Sequence, residues 1–379
     1  MRKSFLLMTL PTIAACTTTP ATPPADIAPL AEAAANAAEP AAPKLVYPDT
    51  RRADVAETQF GVRVEDPFRW LENDVRTDPE VAAWVAAQNK VTDAYLDSLP
   101  GRDALKQRMT ALYNYERTGV PVKKGGRYFY QRNTGLQNQS PLYVRDSLNG
   151  PERLLIDPNG WSKDGATALA EWVPSEDGKY VLYSVQDGGT DWRTVRVLDV
   201  ATGQPVGDEV KWVKFSALSW AKDGSGFYYS RFAEPAAGQT FQQLNKNQQV
   251  FFHRLGTSQA QDRLVYATPD RPELNHIATV SDDGRFVVIT SSSGTDDRYE
   301  VSLIDTRLRG GRPRVLIPGF NHNYSYIGNR GSTFYFITNE GAPKLKVVAL
   351  DIAQRQPTPR VVIAEDQATL DGASLVGGK

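Results

Sequence analysis

The sequence predicts a mainly-β protein: a partial β-propeller of about five four-stranded blades, preceded by a short α-helical arm. Three observations predict it. Hairpins rich in aromatic and aliphatic residues recur at 125–130 (GGRYFY), 175–184 (SEDGKYVLYS), 223–230 (DGSGFYYS), 283–289 (DGRFVVI) and 331–336 (GSTFYF), and Asp-Gly, as at 177–178, suits a two-residue hairpin turn that needs a positive φ. Their glycines at 126, 178, 224, 284 and 331 are separated by 52, 46, 60 and 47 residues, close to the length of one propeller blade. Composition agrees, since 29 glycines, 25 prolines and 37 aromatic residues favour many short strands and tight turns over long helices.

Taken in order, the chain opens with Arg2 and Lys3, an apolar run over 5–13, and Ile13-Ala14-Ala15-Cys16. A charged start, an apolar stretch and small residues form the layout of a bacterial export signal. Small residues directly before a cysteine resemble a lipobox, so residues 1–16 are expected to be a lipoprotein-type signal with Cys16 as the lipidation site. The apolar run is too short to cross a bilayer as a mature helix. Residues 17–43 (TTTPATPPADIAPLAEAAANAAEPAAP) are low in complexity and rich in Ala and Pro, which predicts a disordered tether.

Residues 44–117 form the arm. Pro67, Phe68, Trp70 and Leu71 read as an extended segment that inserts aromatics into a core. Asp78 as N-cap and Pro79 in the first helical position open a helix whose apolar residues Val81, Trp84, Val85, Val91 and Tyr95 carry it to about Leu96. Pro100-Gly101 interrupts the chain, and Leu105, Met109 and Leu112 mark a second amphipathic helix.

From 118 to 379 the period becomes alternating. Each hairpin is followed by a strand, at 141–145, 194–200, 249–255, 299–305 and 344–352, and then by a more polar one at 153–157, 210–213, 262–267, 314–318 and 360–364. Segments 215–220 and 276–281 precede their hairpins as inner strands. Residues 371–379 read as the inner strand of a sixth repeat.

The 43 basic and 44 acidic residues leave a formal charge of −1, so no overall field recruits nucleic acid, and contact with a membrane is expected only through the lipid anchor. Cys16 is the only cysteine, which excludes an internal disulfide. Candidate chemistry is sparse. The three histidines, His253, His276 and His322, fall in strands or connections, far apart and without a cysteine pair, which argues against a metal site. No Gly-x-Ser-x-Gly elbow occurs, and Gly224-Ser225-Gly226 lies at a hairpin tip rather than between strand and helix. Trp161, Trp172, Trp192, Trp212 and Trp220 follow the repeat and are expected to pack cores. Neither 291–294 (SSSG) nor 188–190 (GGT) opens a helix, so neither is a phosphate loop. No catalytic residue, metal ligand or cofactor site is expected.

Several long segments carry a family resemblance: 47–74 (YPDTRRADVAETQFGVRVEDPFRWLEND), 84–100 (WVAAQNKVTDAYLDSLP), 135–150 (GLQNQSPLYVRDSLNG), 154–169 (LLIDPNGWSKDGATAL), 187–200 (DGGTDWRTVRVLDV) and 213–232 (VKFSALSWAKDGSGFYYSRF). In this order they resemble the N-terminal half of prolyl oligopeptidase. The resemblance implies a seven-bladed propeller that caps an α/β-hydrolase domain and filters short peptides by size, with the helical arm docked on that domain. It implies a serine peptidase cleaving after proline, its serine, aspartate and histidine all lying beyond the propeller. No position here receives those three residues. The sequence therefore reads as the propeller portion of an exported peptidase, inactive as it stands, or else as a lipid-anchored propeller that binds peptides or proteins without turnover.

Overall fold

The computed structural model describes residues 45–376, apart from 189, 309 and 310. The calls on the signal, Cys16 and the tether lie outside the described residues. The described residues divide into two compact units, one formed by 45–70 with 75–109, the other by 71–74 with 110–376.

The first unit holds a hairpin, β1 (Ala56–Gln59) and β2 (Val62–Glu65), and helix α1 (Pro79–Ser98). Asp78 caps α1 by accepting from the backbone N–H of Glu80 at 2.8 Å and of Val81 at 3.2 Å. The extended arm is fixed to the helix by side chains. Trp84 Nε1 donates to Thr50 Oγ1 at 2.9 Å, and the Arg51 guanidinium both pairs with Glu80 and lies 4.7 Å from the Trp70 ring centroid. Removing the cap with Asp78→Ala is expected to cost about 1 kcal/mol, read as a lower urea midpoint. Helix α2 (Arg102–Tyr113) follows, with Leu105, Met109 and Leu112 exposed along one stripe. No helix among the described residues is long and apolar enough to cross a membrane.

The second unit is built from five antiparallel blades. Blade 1 comprises β3 (Arg117–Thr118), β4 (Val122–Lys124), β5 (Arg127–Asn133), β6 (Leu142–Arg145) and β7 (Glu152–Ile156). Blade 2 is β8 (Ala168–Pro174), β9 (Tyr180–Gln186), β10 (Arg193–Asp199) and β11 (Gln204–Val213). Blade 3 is β12 (Ser219–Trp220), β13 (Gly226–Arg231), β14 (Gln249–Arg254) and β15 (Arg263–Tyr266). Blade 4 is β16 (Leu274–Val280), β17 (Phe286–Ser293), β18 (Glu300–Asp305) and β19 (Arg314–Ile317); blade 5 is β20 (Tyr324–Arg330), β21 (Thr333–Thr338), β22 (Lys346–Asp351) and β23 (Arg360–Ile363). Blades 2 and 3 are joined into one eight-stranded sheet, where Val213 of β11 pairs with Arg231 of β13.

Alternation along each strand explains the stacking, because successive side chains face opposite neighbours. In β9, Val181 and Tyr183 enter the core shared with blade 1, and Leu182 enters the core shared with blade 3. In β17, Phe286 and Val288 pack toward blade 5, while Val287 and Ile289 pack toward blade 3. Trp220 joins the second core and donates its indole N–H to the Val173 carbonyl at 2.9 Å, and Trp161 and Trp172 pack on the first core, as their spacing predicts. The last residue of the outer strand is buried in blades 1, 3 and 4, at 5% exposure for Ile156, 8% for Tyr266 and 9% for Ile317, whereas Ile363 of blade 5 is 49% exposed.

Three expectations are corrected. The Asp-Gly turns are not two-residue hairpins: Gly178 N–H donates to the Ser175 carbonyl at 2.9 Å and Ser175 N–H to that of Tyr180 at 2.8 Å, enclosing a four-residue loop. The reason is Ser175, whose hydroxyl donates to Asp177 at 2.7 Å and accepts from Tyr180 N–H at 3.0 Å, so that side chains close the turn and only Gly178 needs a positive φ, of 66°. Ser281, Asp283 and Phe286 repeat the device. The inner strand expected at 215–220 shrinks to Ser219–Trp220, because Phe215 is held at φ +52°. Residues 371–376 form no strand, although Leu375 packs against Gly328.

Adjacent turns also touch. Glu176 in the blade 2 turn pairs with Lys124 of blade 1 and with Lys222 of blade 3, the latter at 2.9 Å.

Candidate functional site

At the end of the blades opposite these turns lies a cavity of about 740 Å³. Three consecutive blades build it: Glu171 and Arg193 come from blade 2, Phe215 from the approach to blade 3, and Glu273, Asn275 and Thr295 from blade 4. Along β16 the buried residues Leu274, His276 and Ala278 alternate with Asn275 and Ile277, which line the cavity. The volume falls in the range of small-molecule and peptide sites.

Its floor is electrostatically uneven. Glu171 Oε1 accepts from Leu218 N–H at 3.0 Å, and its second oxygen lies 3.7 Å from Arg193 Nη1. Burial pushes the Glu171 carboxyl above the usual carboxylate range, outweighing the Leu218 hydrogen bond and the Arg193 charge. Two buried polar atoms, Asn275 Oδ1 and Arg193 Nε, have no hydrogen-bond partner among the described residues. One is an acceptor and the other a donor, the two kinds of group that a peptide N–H and C=O satisfy.

Phe215 enters this cavity from a strained backbone. Its left-handed conformation is imposed from below by Gln248, a buried side chain whose amide donates to the carbonyls of Lys214 at 2.7 Å and Phe215 at 3.2 Å and accepts from His276 N–H. Lys214 in turn lies over the rings of Trp192 and Phe215, 4.9 and 5.2 Å from their centroids.

The structure places the histidines apart. His276 is fully buried between Ser291 Oγ at 2.9 Å and Thr268 Oγ1 at 3.0 Å, and burial drives it down to about 4. Its serine neighbour is also buried and no carboxylate orients the ring, so the pair lacks the access and the poise of a nucleophile and base. His253 lies between two carboxylates, Asp262 at 2.7 Å and Asp208 at 3.0 Å, inside the joint of blades 2 and 3. His322 is in the connection before β20, where its carbonyl accepts from Tyr299 N–H at 3.0 Å. Sequence reasoning missed the cavity residues. It set 291–294 aside once a phosphate loop was excluded, yet Ser292 and Gly294 line the wall beside Thr295. The available signal was Asn275, a polar residue alternating with buried neighbours on an inner strand.

The comparisons with known proteins agree with this architecture. The model of the prolyl oligopeptidase N-terminal β-propeller domain matches residues 48–379. A prolyl endopeptidase of Elizabethkingia meningoseptica is 35% identical over 328 residues, covering 86% of this chain and 46% of the relative. Prolyl oligopeptidase A of Amanita bisporigera is 30% identical over 359 residues. Among solved structures, a prolyl endopeptidase studied for inter-domain dynamics in catalysis and specificity matches with TM-score 0.65 and 46% identity, over 87% of this chain and 47% of that one. Prolyl oligopeptidase B of Galerina marginata, bound to a 35mer hydrolysis and macrocyclization substrate, matches with TM-score 0.70 and 30% identity over 85% of this chain and 48% of that one. The chain thus spans a little under half the length of these relatives. On the matched span and the blades that fill it, the chain belongs to the prolyl oligopeptidase family, as its N-terminal β-propeller domain.

Proposed function

We propose that this chain is the propeller portion of an exported prolyl-oligopeptidase-type serine peptidase, that its cavity engages proline-containing peptides on their way to the reacting centre, and that it is inactive alone. The observation that carries this reading is a peptide-sized cavity whose lining residues Asn275 and Arg193 each carry a buried polar atom, Oδ1 and Nε, unpartnered among the described residues. Its relatives are prolyl endopeptidases, and the Galerina enzyme is seen with a peptide substrate. Chemistry would come from an α/β-hydrolase domain docked on the helical arm, for which the exposed stripe of Leu105, Met109 and Leu112 offers an apolar face.

Export rests on the signal layout, with lipidation at Cys16 and a tether to residue 43. Cys16→Ser should move the protein from the membrane fraction to the soluble one; unchanged fractionation would reject the anchor.

Binding and turnover can be read separately. A fluorescent proline-containing peptide should bind the chain without being cleaved, and a serine-directed inhibitor should leave it unlabelled. Asn275→Leu should weaken that binding about tenfold, the worth of one hydrogen bond to a buried acceptor. Equal affinity of the variant would remove the cavity from the path, and any labelling would show that this chain carries its own nucleophile.

A further inference from the structure

We infer that an arginine-rimmed cleft between blades 4 and 5 is a docking site for anionic phospholipid. Residues 307–314 read RLRGGRPR, a basic run that the near-neutral charge of the whole chain conceals. In the structure Arg312 and Arg314 meet Arg285 around a cleft of about 320 Å³ whose apolar surface includes Phe286, Leu308 and Ile352. The carboxylate in the cleft, Asp305, is taken by Arg285, whose Nε and Nη2 both lie 3.1 Å from Oδ2. Arg314 uses one nitrogen on the Ile352 carbonyl at 3.2 Å. The Arg312 guanidinium has no hydrogen bond or ion pair among the described residues, and Leu308 beside it is exposed.

Cationic heads above an apolar floor suit an amphipathic anion, with phosphate oxygens on the guanidinium groups and Leu308 among the acyl chains. Placement supports a surface role. Strand β17 begins at this cleft with Phe286 and reaches the peptide cavity at Ser292, on the order of 20 Å away at the rise of an extended strand. A membrane held at one end of the blades therefore leaves the cavity at the other end free.

The test uses the full chain carrying Cys16→Ser, so that no acyl group contributes, with vesicles of phosphatidylcholine alone or mixed with phosphatidylglycerol. Co-sedimentation is expected only with the anionic vesicles and should fall as salt rises. Arg312→Ser/Arg314→Ser should weaken it about thirtyfold, since each basic residue near such a surface contributes roughly 1 kcal/mol. The charge-matched Lys163→Ser/Arg254→Ser should bind like the parent, and Leu308→Ser should weaken binding with the salt dependence retained. Matching unfolding midpoints establish that all variants are folded. Equal binding to both vesicle types, or equal loss in the charge-matched control, would overturn the assignment. So would stabilisation by inorganic phosphate with no vesicle binding, which would mark a site for the free anion.

Discussion

His253→Leu is expected to destabilise the propeller by about 3–5 kcal/mol, because it strands two carboxylates in the interior. Asp208 comes from β11 of blade 2 and Asp262 from the strap before β15 of blade 3, and the fully buried imidazole is hydrogen-bonded to both. Each carboxylate has further ties. Gly256 N–H donates to Asp208 at 2.6 Å, and the Tyr229 hydroxyl donates to Asp262 at 2.7 Å. Burial alone would lower the histidine, but the hydrogen bond to Asp262, then that to Asp208, more than reverse this and hold it above its ordinary value. A raised folded value means that this stabilisation is complete below the unfolded histidine value of about 6.5 and is lost as pH climbs through the higher folded one. Urea titrations across that range should show the parent weakening with rising pH by a component that the variant lacks. A variant within about 1 kcal/mol of the parent at pH 6 would show that the ion cluster contributes little to the joint.

Gly125→Ala should be nearly as damaging. At φ +55° this residue already sits where a side chain strains the backbone, and an added Cβ would fall 2.0 Å from the Asp177 carbonyl oxygen in the neighbouring turn. Two blades would have to separate, for a combined cost of about 3 kcal/mol. Gly126→Ala supplies the control. Its φ is +80° but nothing lies within 4 Å of the new atom, so only the conformational cost of roughly 1 kcal/mol remains. Thermal unfolding of the two variants should differ clearly, and coincident midpoints would show that the close approach of the turns carries no weight.

These predictions differ in how far they were legible beforehand. The blades were readable because their information is local: Tyr180 to Tyr183 alternate within one strand and Asp177-Gly178 lies at its mouth. The helix start at Asp78 and Pro79 was equally local, and its cap is present. Phe215 could not be read this way, since its backbone is held by Gln248, 33 residues later and just before β14. The cavity needed blades 2, 3 and 4 to be assembled before Glu171, Asn275 and Thr295 met. His253 was readable as a strand residue, but its two carboxylate neighbours lie 45 and 9 residues away with no pattern to mark them. The arginine run vanished into an average, because a formal charge of −1 reports nothing about where the charges stand.

The single β11–β13 pairing that fuses blades 2 and 3 has a thermodynamic corollary. Each core is shared by only two neighbouring blades, so free energy accumulates along the array by nearest-neighbour terms, much as in a linear chain of coupled units. Among the described blades this joint alone adds strand pairing between blades to its apolar core, with His253 held by Asp208 and Asp262 beside it, and is expected to be the firmest link of that chain. Blades 2 and 3 then open and close as one cooperative block, and transient breaks fall at the joints on either side of them.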